Sequence, residues 1–374
     1  VPPVDPAVMR RLNATLTFRL LREAPAPLTM TQLTRGTELS RRTLELILDD
    51  LTADGWVREV TVGSSGVGRP PRAFEFQPGN ALFAAVQLDS HAVRAVVADT
   101  HGRLLASERR VLGDYLDPGT TLDQAVDALN AALVASGRQV GAVRAGAVAM
   151  PGLVDAEGLV IGLVDAPVWT GVRPSAVLAQ SFPFPFVGDN DANLAAVGER
   201  WKGAAQGVDS FTWLLAGARN GAGIVIRGEV HRGFRSSAGE IVRAPAVGMS
   251  ELHEHPLGGL THPDPRHRAR AAQIVERIRS GDREAGALLD EFAAPLARVL
   301  ATLVWTIAPP LVVLGGGLEL AADVLVPRLE AALAAGGAPA VPVRATSLQG
   351  DAVLLGALHE ARASVDEDLL RAKA

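Results

Sequence analysis

An α/β protein in two parts is what this sequence predicts: a small helical unit closed by a β-hairpin, then a larger body in which apolar strands alternate with helices. Three observations carry that expectation. Before residue 55 the apolar residues recur at helical spacing. Between residues 56 and 76 they fall into two strand-like runs around a Gly/Pro-rich tip, and from Leu82 onward strand runs and helical stretches take turns.

The first helix opens at Pro6, and Val8, Met9, Leu12, Leu16, Leu20 and Leu21 keep its period up to the breaker Ala24–Pro27. Thr29-Met-Thr-Gln32 reads as a capping box opening a short second helix that ends near Arg35-Gly36. Ser40 caps a third, expected from Arg41 to Ala53, with Leu44, Ile47, Leu48 and Leu51 inward and Arg41, Arg42, Glu45 and Asp49 outward. Gly55 stops it. Trp56–Val62 and Ala73–Phe76 then form a hairpin with the tip Gly63–Arg72, which completes a winged helix-turn-helix.

Such a unit implies double-stranded DNA as partner, through Ser40, Arg41, Arg42, Thr43 and Glu45 on the recognition helix and Arg69 and Arg72 on the wing. A tip of Gly-Arg-Pro, residues 68 to 70, is stiffened by proline, and its guanidinium suits a narrow minor groove or a phosphate. The blander alternative is a packing or dimerisation unit, against which the wing argues. Glu45, Asp49 and Asp50 oppose strong nonspecific affinity for DNA.

Composition sets outer bounds. The chain has 374 residues, 48% hydrophobic and 21% charged, enough for two or three domains with a sizeable core. It has no cysteine, so disulfides and thiolate zinc sites are excluded. No apolar run reaches the roughly 18 to 20 residues of a membrane span, and a soluble, cytoplasmic protein is expected. Net charge is −5, yet residues 1–78 hold ten Arg against nine Asp and Glu, so the front unit is the less acidic part.

Pro78-Gly-Asn80 is the expected linker, dividing the chain into 1–78 and 79–374. Leu82–Asp89, Val93–Asp99 and Arg103–Ala106 follow as strands, Leu122–Ala135 as a helix, and Val143–Met150 as a buried strand delivering Pro151-Gly152. From Arg268 to Ile307 the periodicity is helical throughout. Pro309-Pro310 breaks it, the strand Leu311–Leu314 and the turn Gly315–Gly317 come next, then a helix from about Leu318 to Ala334 and a last one over Ala352–Ala363.

Between these lies the stretch on which a function can be hung. Gly188-Asp-Asn-Asp-Ala-Asn193 precedes a helical segment, and the strand Phe211–Leu215 leads through the glycine-rich Ala216–Gly223 to a returning strand, Ile224–Gly228. Ser237-Ala-Gly-Glu-Ile241 closes the set. A glycine turn between strands is by itself usually a hairpin. Beside an acidic Asn-Asp pair, however, its N–H groups can surround an anion while a carboxylate faces it.

The order Asn-Asp-Ala-Asn, glycine-rich hairpin, Ala-Gly-Glu-Ile, then Val312-Val-Leu-Gly-Gly-Gly317 resembles the ROK family of repressors, open reading frames and kinases, over roughly residues 80 to 360. The resemblance implies an actin/hexokinase-like (ribonuclease H-like) body of two α/β lobes with a sugar in the cleft, and ATP in the kinases. It puts the first lobe at about 79–188 with the C-terminal helix of about 352–374 packed back on it, and the second at about 189–351. It makes Asp191 the equivalent of the kinase general base and carries ligand contacts onto Gly152, Asn190, Asp191 and Glu240.

Departures from the family pattern are as informative. The first phosphate turn reads Asp89-Ser-His91-Ala, and the second, Gly217-Ala-Arg-Asn-Gly-Ala-Gly223, loses a threonine to Ala218 and a glycine to Arg219. Bulk at positions that want bare backbone points to a blocked phosphate site, so neither nucleotide nor other cofactor is expected. Val242-Arg243 replaces the family's Gly-His after Ala-Gly-Glu-Ile. With no thiolates available the family's zinc site is absent, and His253, His255, His262 and His267 are expected to hold no metal.

The expected function is a transcriptional regulator, a repressor responding to a sugar or sugar derivative, acting as a homodimer or homotetramer on a DNA operator without catalysis. The alternative is an ATP-dependent sugar kinase with an appended DNA-binding unit. A third reading has a vestigial cleft and a protein partner. Arg243, together with Thr261 standing where the family has a glutamate, points either to an anionic sugar derivative as effector or to an arginine that pairs with Glu240 or Asp191 and closes an unused cleft.

Overall fold

A computed structural model describes residues 5–61, 72–77, 81–113, 117–241 and 249–371. The expected wing tip, with Arg69, the linker at 78–80 and Arg243 lie outside the described residues. No described helix is long and apolar enough to cross a membrane.

The front unit consists of α1 (Pro6–Glu23), β1 (Leu28–Thr29), α2 (Met30–Thr37), α3 (Arg41–Ala53), β2 (Val57–Thr61) and β3 (Arg72–Phe76), with its strands in the order β1-β3-β2. Local chemistry explains the boundaries. Thr29 forms a complete capping box with Gln32 at the start of α2, and the Ser40 hydroxyl accepts the Thr43 N–H at the start of α3. Gly55 then takes φ 75°, and the Trp56 N–H returns to the Leu51 carbonyl. Phe18 of α1 meets Trp56 and Phe76 edge-on at 5.1 and 5.5 Å, which closes the small core.

The body has two five-stranded sheets. The first, in the order β10-β7-β4-β5-β6, uses β4 (Leu82–Asp89), β5 (Ala92–Asp99), β6 (Leu104–Val111), β7 (Val143–Met150) and β10 (Phe186–Asn190). Helices α4 (Pro118–Ala135) and α5 (Pro174–Ser181) cover one face, and the hairpin of β8 (Leu153–Val154) and β9 (Val160–Gly162) lies between. From β10 the chain enters α6 (Asp191–Lys202) and then the second sheet, ordered β13-β12-β11-β14-β15. Its strands are β11 (Phe211–Leu215), β12 (Gly221–Ile226), β13 (Glu229–Val230), β14 (Val312–Leu314) and β15 (Val343–Ala345). Helices α7 (Met249–Glu254), α8 (Pro265–Arg279), α9 (Arg283–Ile307) and α10 (Ala322–Ala335) belong to this lobe, and α11 (Ala352–Arg371) returns to the first.

Alternation in β4 shows how the parts are joined. Leu82, Ala84 and Val86 face α4 and α5. Phe83 and Ala85 face a core shared with Leu354, Ala357 and Leu358 of α11 and with Phe18, Leu44 and Trp56 of the front unit. One apolar core therefore runs from the helix-turn-helix into the first lobe.

Several boundaries differ from expectation. The helical run at 268–307 is two helices, because Gly281 takes φ 82° and the Asp282 carboxylate caps α9. Strand β12 begins at Gly221, three residues before the expected Ile224. Gly223 lies within it because a Cβ there would come within 2.3 Å of the Ala192 carbonyl of α6. The segment after Gly317 starts as a 3-10 turn, Leu318–Ala321, before α10. The last helix runs eight residues past Ala363, to Arg371.

Candidate functional site

A cleft of about 710 Å³ opens between the sheets, with Asp89, Asp191, Trp213, Arg219, Arg268 and Gly317 among its walls. Asp89 ends β4, and Ser90-His91 make the tight turn into β5. Its Oδ1 accepts the Ser90 N–H at 2.7 Å, and its Oδ2 accepts Arg219 Nη1 at 2.8 Å. Arg219 stands on the connection from β11 to β12. Its Nε donates to the Thr261 carbonyl at 2.8 Å, and its backbone N–H donates to the Thr261 hydroxyl at 3.1 Å.

One guanidinium thus bridges the lobes and fills the space beside Asp89. Thr261, fully buried, holds that arginine and donates to the Gly258 carbonyl, so it lines no ligand surface. At Gly315–Gly317 the Gly317 N–H donates to Glu319 Oε2 at 2.7 Å, so the protein's own carboxylate takes an amide that would otherwise face the cleft. Gly317 has φ 120°, and a Cβ there would meet the Leu260 carbonyl at 2.0 Å.

Across the cleft, β10 and α6 present the acidic pair. Asn190 is the N-cap of α6: its Oδ1 accepts the N–H groups of Ala192 and Asn193 at 2.8 and 3.0 Å, and its Nδ2 donates to the Gly152 carbonyl at 2.8 Å. Its acceptor is committed to the helix, which leaves one amide proton for a ligand. Gly152 meets Asn190 through that carbonyl. Its φ of 91°, with the Gly162 carbonyl 2.6 Å from where a Cβ would stand, requires glycine.

Asp191 begins α6 and lines the cleft. Burial pushes its carboxyl up to about 6, opposed by Arg219 and assisted by the negative charges of Asp89 and Glu240. Glu240, half-buried, therefore lies within electrostatic reach of Asp191. Asn190 meets Gly152 and Glu240 acts electrostatically on Asp191, but of these four residues it is Asp191 that lines the cavity.

The histidines have local roles. His255 Nδ1 accepts the Leu257 N–H and His262 Nδ1 the Asp264 N–H, at 3.1 and 2.9 Å, while His262 stacks on His267 at 4.0 Å. Burial, with His267 and His91 nearby, lowers the His262 pKa. Among the described residues no three His, Cys, Asp or Glu are grouped to hold a metal.

On the front unit, Arg41 and Arg42 are exposed at the start of α3. Arg41 pairs with Glu45 at 3.1 Å, and Ser40 and Thr43 share a hydroxyl hydrogen bond at 2.8 Å. Arg42 has no hydrogen-bond or ion-pair partner among the described residues. Arg72 is held across the hairpin by both oxygens of Glu59, at 2.7 and 2.8 Å, and lies 5.6 Å from the Phe74 ring centre. That pairing with Glu59 raises its pKa. The sequence pattern marked this arginine but could not show that its guanidinium is already engaged.

Missed altogether were Arg94, Arg109 and Arg268, which also line the cleft. For Arg94 a signal existed: it is the charged residue within the otherwise apolar run Ala92–Ala98 of β5.

The sequence pattern of the ROK family matches residues 83–252 and 257–363. The xylose repressor of Caldicellulosiruptor bescii is 22% identical over 234 residues, covering 63% of this chain and 58% of that protein. A glucokinase of Halalkalibacterium halodurans is 28% identical over 211 residues, 48% of this chain and 64% of that one. The chain thus spans less than two thirds of the length of these curated relatives. Among solved structures, a ROK family transcriptional regulator, described as a homologue of the E. coli MLC protein, superposes with a TM-score of 0.77 at 17% identity, covering 98% of this chain and 99% of that one.

Proposed function

The chain belongs to the ROK family, and from that premise we propose that it is a DNA-binding transcriptional regulator, a repressor whose interlobe cleft takes a sugar or polyol effector. The observation that carries this reading is the front unit: a capped helix-turn-helix with its recognition helix exposed and its core fused to the first lobe. A sugar kinase has no use for such a surface.

The cleft supports the same reading. Arg219 neutralises Asp89 and Glu319 takes the Gly317 amide, so two places where a nucleotide phosphate could meet the protein are filled from within. Asp191 supplies a carboxylate for sugar hydroxyls, with the remaining Asn190 amide proton as a donor and Glu240 close by. Relatives named xylose repressors make pentoses the first sugars to test. Arg243 as an anion partner and a homodimer or homotetramer on a two-fold operator belong to this proposal.

A route from cleft to DNA is built in. Asp191 starts α6, α6 packs along α11, and α11 holds α1 through Asp366. Sequencing DNA recovered with the protein names the operator. On it, Arg42→Ala is expected to weaken binding and flatten the log–log salt slope by roughly 0.9. An unchanged slope removes Arg42 from the interface, and recovery of random DNA removes the regulator reading.

The kinase reading keeps one observation in its favour, the Asp191 carboxylate in the same cleft as Asp89. Labelled ATP with a sugar panel decides it: phosphosugar formed by the wild type and lost in Asp191→Ala would establish the enzyme.

A further inference from the structure

The cleft carries more positive charge than its ion pairs consume. Arg94 of β5 and Arg109 of β6 are directly opposite each other in the first sheet, and both line the cavity. Like charges so placed destabilise a strand pair unless something compensates them. Arg94 is compensated by Asp351 at 2.6 Å. Arg109 has neither a hydrogen-bond nor an ion-pair partner among the described residues.

From the other lobe comes Arg268, in the first turn of α8, where the helix dipole disfavours a cation and favours an anion. Its Nη1 is fixed by the carbonyls of His262 and Pro263 at 2.6 and 2.8 Å, which leaves Nε and Nη2 uncommitted. Its pKa is lowered by burial and then by the neighbouring charges of Arg219 and Arg109. Trp213, 3% exposed and lining the same cavity, has an indole N–H with no acceptor among the described residues.

We propose that Arg109 and Arg268, facing the cleft from opposite lobes with Arg219 at the inner edge, form a binding site for a multiply charged phosphate group. Guanidinium forks match phosphate oxygens two at a time, and an anion there relieves the mutual repulsion of the three arginines. The acids of the cleft do not remove this preference. Asp89 is spent on Arg219, whose charge also acts on Asp191, and Glu319 accepts the Gly317 amide, while neither Arg109 nor Arg268 has an ion-pair partner among the described residues. The site replaces backbone N–H cradles with side-chain charge, so it binds phosphate without a catalytic arrangement for transferring it. Because anion and lobes are in contact on both sides, occupancy favours the closed cleft.

Isothermal titration calorimetry of the full chain with inorganic pyrophosphate reads the site directly and needs no DNA. Saturable one-to-one binding is expected, weakened at least tenfold in Arg109→Ala and in Arg268→Gln, and unaffected in Arg138→Ala, an exposed arginine outside the cleft. Wild type and Arg109→Ala binding alike, or an equal loss in Arg138→Ala, would overturn the site. Arg109 supports no other group, so its variant remains a valid test even if Arg268→Gln fails to fold. Two further arms separate the sources of the phosphate: glucose 6-phosphate binding that also responds to Asp191→Asn identifies a phosphosugar, and tighter binding of ADP identifies a nucleotide. A chain that binds pyrophosphate but recovers no operator keeps this site and loses the regulator reading; the reverse result does the opposite.

Discussion

Asp191 is ionised against the cost of its burial, and that cost has a sign. With its pKa raised from 3.8 to about 6 in the folded chain, the folded state holds a proton between these values that the unfolded state has released. Stability therefore falls as pH rises from about 4 to 6 and stays lower above that. Asp191→Asn removes the charge, so it should raise the melting temperature at pH 7.5, by about 1 to 3 kcal/mol in stability, and lose its advantage by pH 4. Thermal melts of both proteins across that range check it; an advantage constant with pH would contradict the shift. The same titration governs binding: polyol affinity should decline below about pH 6 as the carboxylate becomes a carboxylic acid. Asp191 and the bulk of Arg219 were both legible in the sequence. That Arg219 would reach Asp89 was not, because the two are 130 residues apart and only the closure of two lobes brings them together.

At the scale of elements, caps and periodicity foretold most helices, since Thr29, Gln32 and Ser40 act within four residues of themselves. Periodicity alone carried the C-terminal helix only to Ala363, although the family resemblance extended it to about residue 374. Its last turns carry Asp366, whose acidic neighbourhood looks like a solvated end, yet Asp366 is 2% exposed beneath α1. Arg22 meets both its oxygens at 2.7 and 3.2 Å, and Arg19 adds a third bond at 2.9 Å. Arg362 beside them has its pKa lowered to about 10 by burial. Removing one partner of such a buried pair leaves an uncompensated charge, so Asp366→Ala should cost about 3 to 5 kcal/mol in urea unfolding. A loss below about 1 kcal/mol would show the joint to be ornamental. The packing of α11 on α6 is as exacting. A Cβ on Gly356 would stand 1.7 Å from the Leu194 carbonyl, so Gly356→Ala gains about 1 kcal/mol of helix propensity and loses more than that to overpacking. Net destabilisation is expected, and a stabilised variant would mean the two helices can part without penalty.

For the whole molecule, the shared core means that front unit and first lobe should melt together. Calorimetry should resolve no separate low-temperature transition for residues 5–77, and a heat-absorption peak that survives cleavage of the body would contradict that continuity. The two-part plan was legible because each part has its own periodicity. The fusion was not, because Phe18, Trp56 and Phe83 read equally well as members of separate cores. The Arg22–Asp366 pair has a further consequence for synthesis. Translation delivers Arg22 344 residues ahead of its partner. Helix α1 gains this lock only once α11 has been made, so in a growing chain it rests on the contacts of the front unit alone. On the proposed reading, the DNA-binding unit would then be completed only when the body that would sense the effector is present.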